Sequence, residues 1–243
     1  MKLITWNCQG AFRKKVDTIL KYQPDILVVQ ECEHPDKLAF GKVMPQPNDF
    51  YWYGDNIHKG IAIFSYSDYK IELISDFNPE FRYVLPFKVS GHGQDFTLFA
   101  IWAMDDKKNR EANYIGQVWQ AINYYSKLLD NSIILIGDFN SNKIWDRKGR
   151  VGNHSDVVSK LTDNNIYSIY HKHFDVEQGK EKHPTFFLQR NQNKPYHIDY
   201  CFASTDIVDK VLNIEIGIYE NWISHSDHLP LMVTFDLLEL SLT

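Results

Sequence analysis

The sequence predicts an α/β domain built from mixed, mostly antiparallel sheets. Short apolar runs, each about as long as a β-strand, recur from end to end of the 243-residue chain. Between residues 50 and 102 these runs follow one another without an intervening helical pattern, which is typical of antiparallel meanders. Residues 12–20 and 112–129 instead carry apolar side chains at helical spacing. No linker or repeat interrupts the chain, so residues 1–243 are predicted to form one domain.

In chain order, the pattern predicts a strand at 3–7, a helix at 12–20, a strand at 25–31, and a short helix with a proline-containing loop at 34–48. Aromatic and β-branched runs then predict strands at 50–53, 60–65, 71–74, 83–89 and 96–102. A long amphipathic helix at 112–129 leads to a central strand. Asn153 is placed to cap a helix at 155–162. The last strands are predicted at 166–170, 185–188, 196–202, 211–218 and 229–235.

The central strand lies in the segment SIILIGDFNS, residues 132–141. Its apolar run at 133–136 suits a strand that is buried on both faces, and Gly137 ends that run. Asp138 and Asn140 follow, and alternate residues of an extended chain point the same way. A carboxylate and an amide would therefore face one spot at the end of a core strand. The alternative is a turn closed by an Asx hydrogen bond.

Other predicted strands also finish on polar side chains, and a turn before the last strand carries two more. These residues are Asn7, Glu31, Asp199, Asp227 and His228. A carboxylate such as Glu31 can simply be a solvated strand end, but Asn7 occupies a matching position on another strand. We expect the side chains to meet, because open α/β sheets build their sites at strand ends.

Composition and charge limit the class of protein. The chain is 44% hydrophobic, as globular proteins are, and its net charge of −5 argues against a general nucleic-acid coat but allows local basic patches. No apolar run reaches the roughly 20 residues of a membrane span. Trp6, Asn7 and Gln9 interrupt any signal-peptide core, so we expect a cytoplasmic protein with no membrane partner. Three widely spaced cysteines predict buried thiols rather than disulfides, a zinc ribbon or a nucleophile.

The residue types at the strand ends indicate a metal-assisted reaction. Carboxylates and amides are hard oxygen ligands, which suit Mg²⁺ or Mn²⁺ better than zinc. Clustered carboxylates repel one another, and a cation that neutralises them can also activate water. His228, beside Asp227, is placed for acid–base work or for stabilising developing charge. Hydrolysis of a phosphate ester fits this set, because it needs positioning and charge neutralisation rather than a covalent nucleophile.

A basic loop follows the central strand and contains Lys143, Trp145, Arg147, Lys148 and Arg150. We expect phosphate contacts from its cations and base stacking by its tryptophan. The alternatives are a solvated face and a tryptophan that packs back on the domain. The motif GNHS with His154 superficially matches the metallophosphoesterases, but most of that family's ligands are missing. His154 is therefore expected to be structural or to reach the pocket from its edge.

Five segments together resemble one known family. In order they are ITWNCQG, DILVVQE, IGDFNS, HIDYCFAS and SDHLPL, and they span residues 4–231. The set resembles the endonuclease/exonuclease/phosphatase superfamily, which includes exonuclease III and deoxyribonuclease I. The resemblance implies one catalytic domain with the fold of a four-layered α/β sandwich. In that fold two mixed, mostly antiparallel sheets pack face to face with helices outside, and the site lies at one edge.

The resemblance also implies a metal side and a phosphate side of the site. On the metal side, Glu31 would be the principal Mg²⁺ ligand, Asp227 would lie near the ion, and Asn7 would lie beside the ion and the attacking water.

On the phosphate side, Asp138 would orient or deprotonate the water and Asn140 would hold the scissile phosphate. His228 would stabilise the transition state, with Asp199 holding its ring. Whether Asp138 or His228 is the base stays open.

One position departs from the family pattern. Many nucleases of this superfamily carry Tyr or His at the end of the strand before the long helix, where this sequence has Trp102. An indole can donate one hydrogen bond to substrate but cannot transfer a proton. The leading hypothesis is a monomeric, Mg²⁺-dependent phosphodiesterase that acts on DNA or RNA. The alternatives are a phosphoesterase for a small phosphorylated metabolite or lipid head group, and a non-catalytic binding protein on the same scaffold.

Overall fold

The computed structural model describes residues 1–106 and 109–237, and fourteen strands lie within these ranges. The strands are β1 (Lys2–Asn7), β2 (Ile26–Cys32), β3 (Asp49–Asn56), β4 (Lys59–Ser65), β5 (Lys70–Leu73), β6 (Val84–Gly91), β7 (Gln94–Trp102), β8 (Ile133–Asp138), β9 (Ile166–Ser168), β10 (Phe186–Phe187), β11 (Pro195–Tyr196), β12 (Asp199–Ser204), β13 (Val211–Ile216) and β14 (Leu231–Phe235). The α-helices are α1 (Val16–Leu20), α2 (Pro35–Leu38), α3 (Ile115–Tyr124), α4 (His154–Asp163), α5 (Ile169–Phe174), α6 (Thr205–Val208) and α7 (Tyr219–Trp222).

Two six-stranded sheets form the centre of the fold. The first has the order β13-β14-β1-β2-β4-β3 and the second the order β5-β6-β7-β8-β12-β9, while β10 and β11 form a separate hairpin. Pairing is parallel between β1 and β2 and between β7 and β8, and antiparallel between the other neighbours. The predicted mixed, mostly antiparallel sheets are confirmed.

The sheets and helices form four layers. Val28 of β2 and Ile136 of β8 belong to one buried cluster between the two sheets. Val118 of α3 packs in a second cluster on the outer face of the second sheet. Ile19 of α1 and Trp222 of α7 pack in a third cluster on the outer face of the first sheet. The predicted α/β sandwich is therefore confirmed. None of the helices in the two described ranges is both long and apolar enough to traverse a bilayer.

Several predicted elements differ from the structure. The predicted helix at 12–20 is a 3₁₀ turn at Phe12–Lys14 followed by α1, and the predicted strand at 196–202 is divided between β11 and β12. The stretch 112–129 is not one helix, because α3 is flanked by 3₁₀ turns at Arg110–Ala112 and Ser126–Asp130. The apolar run 166–170 begins as β9 but turns into α5 at Ile169, since short apolar runs suit a buried strand and a buried helix equally. The predicted strand at 185–188 is shorter in the structure, where only the two residues of β10 are extended in a sheet.

Candidate active site

Strand ends from both sheets meet at one edge of the sandwich. Asn7 ends β1 in the first sheet, Asp138 ends β8 in the second, and Asp199 begins β12 directly opposite Asp138. Asn7 Nδ2 donates a hydrogen bond of 3.0 Å to Asp138 Oδ2, which links the two sheets at this edge. All three residues are buried.

The Asp138 carboxylate is held from several sides. The backbone N–H of Asn140 donates to Oδ1 at 2.8 Å, and Asn140 Nδ2 donates both to Oδ2 at 3.2 Å and to the Ala103 carbonyl at 2.9 Å. Gly137 makes this geometry feasible, because any Cβ at that position would overlap the carbonyl oxygen of Ile101. Asn140 itself has a left-handed φ of 47°. Its amide can therefore face the same oxygen that Asn7 contacts.

His228 completes the buried centre. Its Nδ1 lies 2.9 Å from Asp199 Oδ2, and its Nε2 lies 3.9 Å from Asp138 Oδ2. The backbone around it is fixed, because Trp6 Nε1 donates to the His228 carbonyl and Ser226 Oγ accepts from the His228 N–H. The turn predicted from the SDH motif thus aims the imidazole at both carboxylates.

Burial and neighbouring charges set the ionisation of this centre. Burial raises the pKa of Asp138 to about 7; His228 opposes this rise and Asp199 adds to it. Burial disfavours the charged form of His228, but the carboxylates of Asp199 and Asp138 outweigh it and raise the pKa of His228 to about 10. At neutral pH the ring is therefore an imidazolium paired with Asp199, and Asp138 is poised between its charged and neutral forms.

Glu31 and Asp227 lie at the partly exposed edge of the centre, which we call the mouth. Glu31 is the extra residue of a β-bulge in β2, with φ 57°, and its side chain remains 18% exposed. Its Oε2 accepts a hydrogen bond of 2.7 Å from Lys59 Nζ. Asp227 Oδ2 accepts a 2.8 Å hydrogen bond from Gln9 Nε2. Burial raises the pKa of Asp227, and the charge of Glu31 adds to the rise, so the two carboxylates repel each other.

The donor set fits a divalent cation at Glu31 and Asp227. Ligand atoms of Asp138, Asp199 and His228 also lie within 4.8 Å of one another, which is close enough to surround an ion. An imidazolium cannot ligate a metal, however, and Nδ1 of His228 is already bonded to Asp199. The buried trio therefore fits proton chemistry better. The mutually repelling, partly accessible carboxylates at the mouth are the hard oxygen donors that Mg²⁺ or Mn²⁺ prefers.

Two residues predicted to bind substrate have buried rings that pack in the core, although Trp102 itself is paired with Asp138 where β7 and β8 end side by side. The Trp102 ring is buried between the sheets and packs on Tyr83, with 4.8 Å between ring centroids. His154 is buried too, with its Nε2 3.0 Å from Gln178 Oε1 and its ring against Tyr200. Among the described residues neither side chain hydrogen-bonds to Asp138, and a role in substrate binding stays a prediction for both.

The basic loop that follows β8 runs beside the centre. Lys143 and Trp145 lie in a short 3₁₀ turn, and Trp145 is half-exposed and packs on Tyr196 at 5.0 Å. Arg147, Lys148 and Arg150 line a cleft of about 950 Å³ whose other wall is the start of α3. We name this the α3 cleft.

Several residues of the α3 cleft and the mouth are not predicted as site residues by any sequence pattern. Arg110, Tyr114 and Trp119 form the far wall of the cleft. Lys59, Gln9 and Arg190 surround the carboxylates of the mouth. Gln9 could have been found from its place two residues after Asn7, but nothing in the sequence relates the other residues to this site.

The sequence of the chain matches one family model. The family model described as "Endonuclease/Exonuclease/phosphatase family" matches residues 4–228. No curated protein sequence matches the chain significantly.

Solved structures share the fold at low sequence identity. A 3'-5' exonuclease from Neisseria meningitidis is 20% identical, with a TM-score of 0.64 over 97% of this chain and 100% of that one. An AP endonuclease from Archaeoglobus fulgidus is 19% identical, with a TM-score of 0.68 over 98% of this chain and 100% of that one. The endonuclease domain of TRAS1, a telomere-specific non-LTR retrotransposon, is 15% identical, with a TM-score of 0.66 over 98% and 99%.

Proposed function

The chain belongs to the endonuclease/exonuclease/phosphatase family, and from this premise we propose that it is a metal-dependent phosphodiester hydrolase acting on nucleic acid. The observation that carries the proposal is the buried Asp138–His228–Asp199 centre beside two accessible carboxylates. A proton acceptor, a fixed positive charge and oxygen ligands for a cation are what hydrolysis of a phosphate ester requires.

Asp138 is the proposed base that orients and deprotonates the attacking water. Its pKa of about 7 lets it accept a proton near neutral pH. Asn7 and Asn140 fix the direction of its oxygens, and Asn140 would also hold the scissile phosphate. A thiol nucleophile has no support, because burial raises the pKa of Cys8 to about 12.

His228 is the proposed cation that stabilises charge on the phosphate. The imidazolium keeps its proton at neutral pH because Asp199 and Asp138 favour its charged form. Asp199 also fixes the ring orientation through Nδ1, which leaves Nε2 to point toward Asp138 and the reaction space. Preorganised charge of this kind stabilises a transition state without reorganisation.

Glu31 and Asp227 would hold the metal, which we propose to be Mg²⁺ or Mn²⁺. A bound divalent cation neutralises the phosphate oxygens and lowers the pKa of water. Asn7 contacts Asp138 through its amide nitrogen and Gln9 through its amide oxygen, and it would orient the water on the metal side. The left-handed backbone of Glu31 turns its carboxylate to the partly exposed mouth.

The α3 cleft favours nucleic acid over a small ester. Four cations line it against a single acid, Glu111. Among the described residues, none of these four makes a salt bridge with a carboxylate. Tyr114 stands at its entrance, 41% exposed, and its backbone N–H bonds to Met104 next to the site. A cationic channel with an exposed ring suits a phosphate backbone with stacked bases. Monomeric state and cytoplasmic location remain predictions.

The test is a screen of single- and double-stranded DNA, RNA and small phosphate diesters with Mg²⁺, Mn²⁺ or EDTA. We expect cleavage of an oligonucleotide that EDTA abolishes. Glu31→Gln and His228→Ala should each remove most of the turnover, while Glu72→Gln, an exposed carboxylate of β5, should not. Wild-type protein that binds no divalent cation and cleaves no diester would contradict the proposal, and preference for a small ester would favour the metabolite enzyme.

A further inference from the structure

Arg190 is held at the mouth by an unusual backbone. It lies in the loop between β10 and β11, where Gln189 and Arg190 both have a φ of 57°. Two consecutive non-glycine residues in the left-handed region are costly, and such conformations cluster at functional sites. Tyr219 OH donates to the Arg190 carbonyl at 2.8 Å, and Leu188 N donates to the Lys194 carbonyl at 3.0 Å to close the loop.

Among the described residues, the hydrogen bonds of the Arg190 guanidinium go to neutral oxygens. Nε and Nη2 donate to Gln9 Oε1, at 3.2 and 2.5 Å, and Nη1 donates to the Ser224 carbonyl at 3.2 Å. No carboxylate among residues 1–106 and 109–237 forms a salt bridge with Arg190. A guanidinium has five N–H donors, so one on Nη1 and one on Nη2 have no partner in these bonds. A planar pair of donors of this kind matches two phosphate oxygens.

Gln9 connects Arg190 to the reaction centre. Its Nε2 donates to Asp227 at 2.8 Å and its backbone N–H donates to Asn7 Oδ1 at 3.1 Å. The Gln9 amide has only one orientation that satisfies both neighbours, since its oxygen must accept from Arg190 and its nitrogen must donate to Asp227. One side chain therefore separates the guanidinium from Asp227 and Asn7.

We propose that Arg190 binds the non-bridging oxygens of the scissile phosphate diester through its two remaining N–H groups. The proposal rests on the proposed hydrolase function and adds a substrate contact to it. Gln9 is the positioning residue that holds the guanidinium at the mouth. The alternative is a structural role, in which Arg190 only keeps Gln9 against Asp227.

Hydrolysis of bis(4-nitrophenyl) phosphate with Mn²⁺ tests the contact, because this small diester has a single phosphate and does not need the α3 cleft for binding. We expect Arg190→Ala to lower kcat/KM by roughly 10- to 100-fold, the effect of losing a charge-assisted hydrogen bond, and to weaken inhibition by inorganic phosphate by a similar factor. Guanidinium ion should restore part of the turnover, and Arg190→Lys should recover less than the wild-type rate because it lacks the planar pair of donors.

The control is Lys194→Ala, which removes one positive charge from the same exposed loop. Equal turnover and equal phosphate inhibition in the wild type and Arg190→Ala would overturn the proposal, as would a loss no larger than that of the control. If wild-type protein cleaves no diester, the proposed function fails. Arg190 is then judged by calorimetric binding of inorganic phosphate, and equal affinity in the wild type and Arg190→Ala refutes the contact.

Discussion

At the scale of single residues, four residues at the site have a left-handed backbone conformation. Glu31, Asn140, Tyr114 and Arg190 all have positive φ values between 47° and 57°. Asn tolerates this region, but the other three are held there at a cost. Each of them turns a functional group toward the mouth or the α3 cleft. The direction of these side chains accounts for the three conformations.

Tyr114 gives a direct test of this argument, because its φ of 49° and ψ of −118° suit glycine only. We expect Tyr114→Gly to raise the free energy of unfolding by about 1 kcal/mol. The relief of backbone strain in the folded state should exceed the extra conformational entropy that glycine loses on folding. Tyr114→Ala removes the same ring but keeps the strain, so it should give no gain. Urea unfolding measures both, and equal stabilities would contradict the strain. Both variants should cleave oligonucleotides more slowly.

The ammonium of Lys59 should compete with a divalent cation for the carboxylate of Glu31. Its ammonium lies 2.7 Å from Glu31 Oε2, so a divalent cation must displace it or bind against its charge. We expect Lys59→Met to tighten Mn²⁺ binding about 2- to 5-fold, the range of an exposed ion pair. Electron paramagnetic resonance of free Mn²⁺ measures this affinity. Lys42→Met, at an exposed position elsewhere, should leave it unchanged; equal affinities in all three proteins would show that Lys59 does not compete.

At the scale of elements, Asn153 joins the basic loop to α4. Its side chain accepts from the Arg147 N–H and donates to the carbonyls of Arg147 and Arg150. Its backbone N–H donates to Asp156 in a capping box at the start of α4. The cations of the α3 cleft thus extend from a backbone that the helix cap holds in place.

Replacing this cap should separate nucleic-acid binding from catalysis. We expect Asn153→Ala to cost about 1 kcal/mol of stability and to weaken oligonucleotide binding several-fold, because the loop loses its three bonds to the cap. Turnover of bis(4-nitrophenyl) phosphate should not change. Asn78→Ala is the control, since Asn78 caps a remote 3₁₀ turn. Fluorescence anisotropy with a labelled oligonucleotide measures binding, and unchanged affinity would exclude the α3 cleft as the binding channel.

The elements that could be predicted from the sequence are those with a clear period. Asp138 follows an unbroken apolar run that predicts the end of β8, and the same signal places Asn7 and Glu31 at or near the ends of β1 and β2. The break before α3 and the turn from β9 into α5 depend on tertiary packing of apolar residues that suit either structure. The position of Arg190 beside Gln9 depends on a left-handed loop, which no residue type in that loop demands.

At the scale of the whole molecule, a buried polar network supports the site from behind. Glu181 accepts hydrogen bonds from His171 and Asn142, and these bonds hold its pKa at about 2 against the opposing effect of burial. His197 donates through Nδ1 to the His183 carbonyl, and its Nε2 is buried without a hydrogen-bond partner among the described residues. The network ties α5 and the loop after it to β12, which carries Asp199. Stability and activity therefore share these elements.

His197 makes an acid-sensitive contribution to the stability of the fold. Burial lowers the pKa of His197 from 6.5 to about 4, so below pH 6.5 the unfolded chain binds more protons than the folded one. The contribution of His197 is complete above pH 6.5 and is lost as the pH falls to about 4, a change of about 3 kcal/mol. His197→Asn keeps a donor for the His183 carbonyl but cannot titrate. Between pH 7 and pH 4.5 the wild type should lose free energy of unfolding relative to this variant in urea, because groups such as Asp138 titrate equally in both proteins. Parallel curves would show that His197 makes no such contribution.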